Sequence, residues 1–383
     1  MYIMEKQKTI WSIVGVILLV LIIVLAISKS QTNSNVIRVG AVFSLTGNGA
    51  AYGEPARDGL ILAVDKINKQ GGINGKMVQA VYEDSQFDPK IGLNAYQSLS
   101  ARGIHYVLTN GSAVSLAVRK AAIDNHDLQF ETGAVSPSYS DGSSNTCRIT
   151  LTAPVSGKKL GEFISQKLKA KTFATLTLND DFGTSMAKAV SETAAANGVL
   201  TKGSDSFDKN ATDFRTQIVK LAALHPDVLL VIPAAGQAEA IFRQLKEQNW
   251  KGTIVSDNFT IINSSIKNVG VVNGIYFVNY DWSGQATSTD SQDIKDFKDA
   301  FIATYHTEPP VIAANVYDSM MVLAKGLAAV GADNPTAVGQ WLTGNIKDYQ
   351  GVTGPITLNQ DCESARLADI QQVQDGNYVT VWK

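Results

Sequence analysis

Three stretches of small and hydroxyl-bearing residues stand where apolar runs stop: Ser44-Leu45-Thr46-Gly47-Asn48-Gly49, Asn110-Gly111-Ser112-Ala113 and Thr132-Gly133-Ala134-Val135-Ser136-Pro137. Each lies between a short apolar run and a helical pattern. Each therefore offers backbone N–H groups and a hydroxyl, which suit an anion or a carbonyl oxygen better than bond-breaking chemistry. Taken singly, each hydroxyl reads first as a helix cap. Their recurrence at equivalent positions favours a binding site.

Residues suited to catalysis are sparse. His105, His126, His225 and His306 fall in four separate elements without metal-ligand spacing. Neither a Gly-x-Ser-x-Gly elbow nor a Gly-Lys-Ser phosphate loop is present. Gly47, Gly49 and Gly53 approximate a dinucleotide fingerprint, with Asp84 as its acid, but the third glycine comes one residue late. Cys147 and Cys362, the only cysteines, cannot make a four-cysteine zinc site. In an exported chain they could form one disulfide. The net charge is −2, and no basic block suits nucleic acid. No enzyme activity, cofactor or metal is expected.

The elements that position these loops alternate. Ile37 to Phe43 reads as a strand, Leu60, Val64 and Ile67 mark a helix, Gly71 to Gly75 ends it, and Met77 to Tyr82 is a second strand. Helix 90–102, strand 105–109, helix 115–124 and strand 128–131 follow, with Ser112 as a helix cap. Another strand spans 148–152. A second α/β block then runs through helices 157–168, 185–197, 213–224 and 238–248 and strands 172–178, 227–232, 253–256 and 275–278. Helices are expected over 293–305, 312–330 and 336–343, then short strands at 355–358, 368–373 and 378–382, the last two joined by an Asp375-Gly376 hairpin turn. The 383 residues suffice for two domains, and 45% are apolar, enough for substantial cores.

Thr9 to Ser28 carries no charge over 20 residues and can span a hydrocarbon core of about 30 Å. Lys6 and Lys8 precede it, which keeps that end cytoplasmic and places the bulk outside. Ala26-Ile27-Ser28 is a poor cleavage site, so an uncleaved anchor is favoured over a cleaved signal. No cysteine near its end allows lipidation there. Gln31 to Asn35 reads as a tether.

Tyr52-Gly53, Gly59, Ile67-Asn68, Gly71-Gly72-Ile73-Asn74-Gly75, Asp84 and Asp88-Pro89 together resemble the opening of the leucine/isoleucine/valine-binding protein family. Gly133 to Ser138, Asn179-Asp180-Asp181-Phe182-Gly183 and Gly351 to Ile356 resemble later family segments. The resemblance spans about residues 36–383. It implies a type I periplasmic binding protein: an α/β, Venus-flytrap arrangement of two Rossmann-like lobes joined by a three-segment hinge, preceded by one N-terminal transmembrane or signal helix. Residues 1–35 would be the anchor or signal and tether, 36–151 plus 283–368 lobe 1, and 152–282 plus 369–383 lobe 2. Both cysteines map to lobe 1, which allows a Cys147–Cys362 disulfide. The implied function is the extracytoplasmic solute-binding component of an ABC importer, working with a permease and its ATPase and held to the membrane by the N-terminal helix. It would capture an amino acid, amide or carboxylate by hinge closure.

By the same resemblance, Ser112 or Ala113, Ala134 and Ser136 would hold a carboxylate through N–H groups and hydroxyls, and Tyr52 would pack over the ligand. In lobe 2, Ala234 stands where amino-acid binders carry a tyrosine. Asn258, with Asp257 adjacent, stands where they carry the acid for the ammonium group. Phe182 and Tyr280 are candidate walls or core residues. A sensor ectodomain signalling through a partner protein is the alternative; a nicotinamide enzyme is less favoured.

Overall fold

The computed structural model describes residues 35–383 apart from 141, 262–269, 281, 283–285 and 365. The expected N-terminal membrane helix lies outside the described residues.

The first sheet is wholly parallel, in the order β2-β1-β3-β4-β5, with β1 Val36–Phe43, β2 Met77–Asp84, β3 Tyr106–Thr109, β4 Leu128–Glu131 and β5 Thr146–Arg148. Its central strands are buried on both faces, which is why they read as near-continuous apolar runs. α1 Ala50–Lys69, α2 Pro89–Ala101 and α3 Ser112–Asp124 connect them.

The second sheet follows α4 Ala153–Glu162. It contains β6 Thr172–Leu178, β7 Leu200–Phe207, β8 Val228–Ile232, β9 Thr253–Asp257 and β10 Tyr276–Asn279, with α5 Asp181–Ala196, α6 Arg215–Ala222, α7 Ala235–Glu247 and the short α8 Asn258–Ile261 between them. The chain returns through α9 Gln292–Tyr305, α10 Val311–Val330, α11 Pro335–Asn345 and a small hairpin of β11 Tyr349–Gly351 and β12 Gly354–Ile356. β13 Asp369–Gln374 and β14 Asn377–Trp382 then complete the second sheet, in the order β14-β13-β10-β9-β8-β6-β7. β13 is antiparallel to β10, and Asp375 and Gly376, both at positive φ, make the expected two-residue turn before β14. Two α/β lobes result, as the sequence implied.

In both sheets the strand order reverses beside the first strand laid down. The neighbours β1 and β3, and likewise β6 and β8, carry connections that diverge, leaving a crevice at their carboxyl ends. The loops after these four strands are therefore the ones that can hold a solute.

α10 is long and apolar enough to cross a membrane by composition, yet 78% of its most apolar 18-residue stretch is buried within the protein. It packs on α1 so closely that a Cβ at Gly59 would stand 2.1 Å from the Ala313 carbonyl oxygen. Glycine at 59 is thus a condition of that helix pair.

Two local expectations shift. β7 was not legible: its sequence Leu-Thr-Lys-Gly-Ser-Asp-Ser-Phe is polar because it is an edge strand, paired only with β6. The strand expected at 148–152 ends at Arg148, because residues 149–151 cross toward the second lobe. Beyond β5, residues 362–364 extend the sheet: the Arg148 N–H donates to Cys362 O (2.9 Å) and the Ser364 N–H to Arg148 O (3.0 Å). Cys147 and Cys362 are disulfide-bonded across this edge, with Cα atoms 4.6 Å apart.

The bond closes a separation of 215 residues. Replacing both cysteines by serine should lower unfolding free energy by roughly 2–4 kcal/mol. Denaturant titration of the two forms measures it; equal midpoints would show that the bond adds no stability.

Candidate functional site

The loop after β3 sets the polar side of the crevice. Gly111 caps α3 at φ 90°, a conformation that favours glycine, and it brings no capping side chain. The helix therefore starts at Ser112, three residues earlier than the sequence suggested, and Ser112 is not its cap. Instead the Ser112 hydroxyl oxygen accepts from the N–H groups of Val135 (3.2 Å) and Ser136 (3.3 Å), tying this loop to the one after β4.

That second loop is held from below by two buried charges. The Glu131 carboxylate accepts the Gly133 N–H at 2.8 and 2.9 Å and the Ser115 hydroxyl at 3.3 Å. The Ala134 N–H also bonds to Glu131. The Arg148 guanidinium donates to the carbonyls of Ala134 (3.1 Å) and Ser136 (2.7 Å) and pairs with Glu363. Ser136 accepts from the Ser138 N–H at 3.3 Å, a capping bond, and from the Ser185 hydroxyl of α5 at 3.4 Å.

On the opposing lobe, Asp180 caps α5 by accepting the Gly183 N–H (2.9 Å), which sets Phe182 at the crevice. Ala234 is the buried residue that precedes α7. Asp257 uses both oxygens on Thr260, accepting its N–H (3.1 Å) and its hydroxyl (2.6 Å), and so starts α8. The Asn258 carboxamide oxygen accepts the Phe259 N–H, while its amide nitrogen is buried without a partner among the described residues.

The lobes meet. Lys209 pairs with Asp88 at 2.7 Å, Asn48 donates to the Lys209 carbonyl, and the Tyr52 hydroxyl lies 3.4 Å from the Pro233 carbonyl. Between them lies an inner cavity of about 20 Å³, room for one water. Its lining includes Tyr52, Ser112 and Phe182 from the expected set, together with Asn110, Phe87 and Phe259. Outside it a cavity of about 930 Å³ opens, lined in part by Ala113, Asp88, Asp180 and Lys209. Ala134, Ser136, Ala234, Asp257 and Asn258 line neither cavity. The sequence had pointed to neither Phe87 nor Phe259. Their only signal was position: Phe87 stands in the turn after β2, and Phe259 in the short α8 just past the carboxyl end of β9.

Tyr280 is no cavity wall. Its hydroxyl accepts the Leu151 N–H (2.7 Å), and the Arg366 guanidinium sits 4.9 Å above its ring. Arg366 also donates to the carbonyls of Ile149 (2.9 Å) and Thr353 (2.7 Å) and to the Thr353 hydroxyl (2.7 Å). Thr353 in turn donates its N–H (2.8 Å) and hydroxyl (2.5 Å) to Asp318. Burial pushes the Asp318 carboxyl up, opposed by Thr353 and Arg366. This cluster joins the three chain segments that pass between the sheets.

The profile of the periplasmic binding protein family matches residues 36–377. The Leu/Ile/Val-binding protein homolog 1 of Brucella suis biovar 1 is 24% identical over 302 residues, covering 78% of this chain and 80% of that one. The leucine-binding protein LivK of Thermotoga maritima superposes with a TM-score of 0.83 at 18% identity, covering 90% of this chain and 97% of that one. A solute-binding protein of an ABC transporter from R. palustris, solved with benzoate, superposes at 0.81 and 18% identity over 91% and 96% of the two chains.

Burial pushes the Glu131 carboxyl from 4.5 up to about 7, against the Gly133 and Ala134 N–H groups and the Arg148 charge, which pull it down. The folded chain then holds a proton that the unfolded chain has released between about pH 4.5 and 7. Stability should therefore fall as pH rises through that window. Asp180 and Asp257, each pushed up to about 6, act in the same sense. Glu131→Gln should flatten the profile. Thermal melts across the window measure it; an unchanged slope would remove Glu131 as the source.

Proposed function

Because the chain belongs to the periplasmic binding protein family, we propose that it captures a small solute between its lobes outside the cytoplasm and delivers it to an ABC permease with its ATPase. The observation that carries this reading is the inner cavity, walled by Tyr52 and Ser112 from the first lobe and by Phe182 and Phe259 from the second. A pocket divided between two bodies couples binding to their closure, because a solute touches both walls only when the lobes draw together on it.

The Brucella relative is named for leucine, isoleucine and valine, and the R. palustris structure holds benzoate. Those names support an amino acid or a related carboxylate as the solute class. We assign residues 36–151 plus 283–368 to lobe 1 and 152–282 plus 369–383 to lobe 2, with 9–28 as a membrane anchor. Support comes from the Arg366 cluster, which gathers segments near 150, 280 and 366. Within this reading the Lys209–Asp88 pair and the Asn48 bond are latches of the closed form.

The test is a thermal-shift screen of the full chain in detergent against amino acids, amides, aliphatic and aromatic carboxylates and nucleobases. A true solute at 100 times its dissociation constant should add about 2.7 kcal/mol. Ser112→Ala should weaken that solute by roughly 1–3 kcal/mol in titration calorimetry. Silence across the panel would end the proposal, and undiminished affinity in the variant would remove Ser112 from the site.

A further inference from the structure

The polar end of the inner cavity presents donors. Asn110 is only 2% exposed and lines the cavity, and its carboxamide has no protein partner among the described residues. A serine hydroxyl has two acceptor lone pairs and one proton. The Ser112 oxygen already accepts from Val135 and Ser136, so its proton is what remains to offer. Ser112, Ala113 and Val114 open α3, and first-turn N–H groups have no acceptor within a helix. Gly111 and Ser112 line the inner cavity, Ala113 and Val114 the outer one, so this helix end faces the crevice.

The remaining wall is aromatic: Tyr52, Phe87, Phe182 and Phe259. Among the described residues no acid lines the inner cavity. Of the nearby acids, Asp257 is engaged with Thr260, Glu131 with Gly133 and Ser115, and Asp180 with Gly183, while Asp88, Asp180, Asp181 and Asp208 line the outer cavity rather than this one. An ammonium group enclosed here would lose its water without gaining a counter-charge. A flat group would gain ring contacts instead. Tyr52 and Phe259 stand edge to face with centroids 6.3 Å apart. A planar body stacked on one ring at about 3.5–4 Å and met by the edge of the other at about 5 Å needs roughly 8.5–9 Å between the centroids, so a parting of the lobes by about 2–3 Å admits it.

We propose that the cleft takes a carboxylate with a flat apolar body, held at its oxygens by Asn110, Ser112 and the first turn of α3, with no requirement for an α-ammonium group. The proposal rests on the solute-capture reading and names its substrate class.

Matched pairs test it. Titration calorimetry on the full chain compares 3-phenylpropanoate with L-phenylalanine and 4-methyl-2-oxopentanoate with L-leucine, and adds benzoate. At least one carboxylate should bind, roughly tenfold or more tighter than its amino counterpart where it has one, a gap that burial of one unpaired ammonium readily exceeds. Asn110→Asp should cost that carboxylate about tenfold or more, with the solute-free melting temperature as the check on folding. Either amino acid binding more tightly than its deaminated partner would overturn the class while leaving solute capture intact. So would silence from all five probes when another solute of the wider panel binds. Silence from the whole panel would overturn both readings.

Discussion

A single buried guanidinium governs how the two lobes relate. Arg366 reaches Ile149, Thr353 and the ring of Tyr280, so it touches the outgoing, returning and final passages of the chain at once. A buried charge needs partners for its donors, and here those partners are mostly backbone carbonyls that fix where each passage runs. Asp318 extends the cluster by gripping Val352 and Thr353 from α10. These bonds fix the paths of the chain passages that run between the two sheets.

Each lobe keeps its binding loops rigid by a similar device. Glu131 and Arg148, both buried, hold opposite sides of the 132–136 loop, one through N–H groups and the other through carbonyls. Ser112 then ties that loop to the start of α3. Donors that face the cavity are therefore set before a solute arrives, which lowers the ordering cost of binding. On the other side, Asp180 and Asp257 spend their carboxylates starting helices, so the rings of Phe182 and Phe259 line the inner cavity instead.

Much of this was legible. The parallel strands announced themselves because burial on both faces demands apolar runs, as in Val228–Ile232. The glycine and hydroxyl loops marked the sheet edges, and the opening motif fixed the family. The polar edge strand Leu200–Phe207 escaped notice, since an edge carries no two-sided apolar demand. Site details were harder. Whether Tyr280 faces a pocket or a hinge depends on residues 129 and 86 positions away, Leu151 and Arg366. Asn110 reads in sequence as part of a turn, and only its burial without a partner among the described residues distinguishes it. Ser112 looked like a cap because serine often is one; the glycine before it took the cap position.

The cystine at the far edge of the first sheet also decides how the molecule would bear tension. A pull on the two ends of the chain runs through the first strands, across the sulfur bridge, and out along the final residues. Everything between Cys147 and Cys362, including strands β6 to β10, is shielded from that load. Only the closing hairpin β13–β14 lies outside the bridge on the carboxyl side, so it would peel from the second sheet while the enclosed stretch stays unstretched.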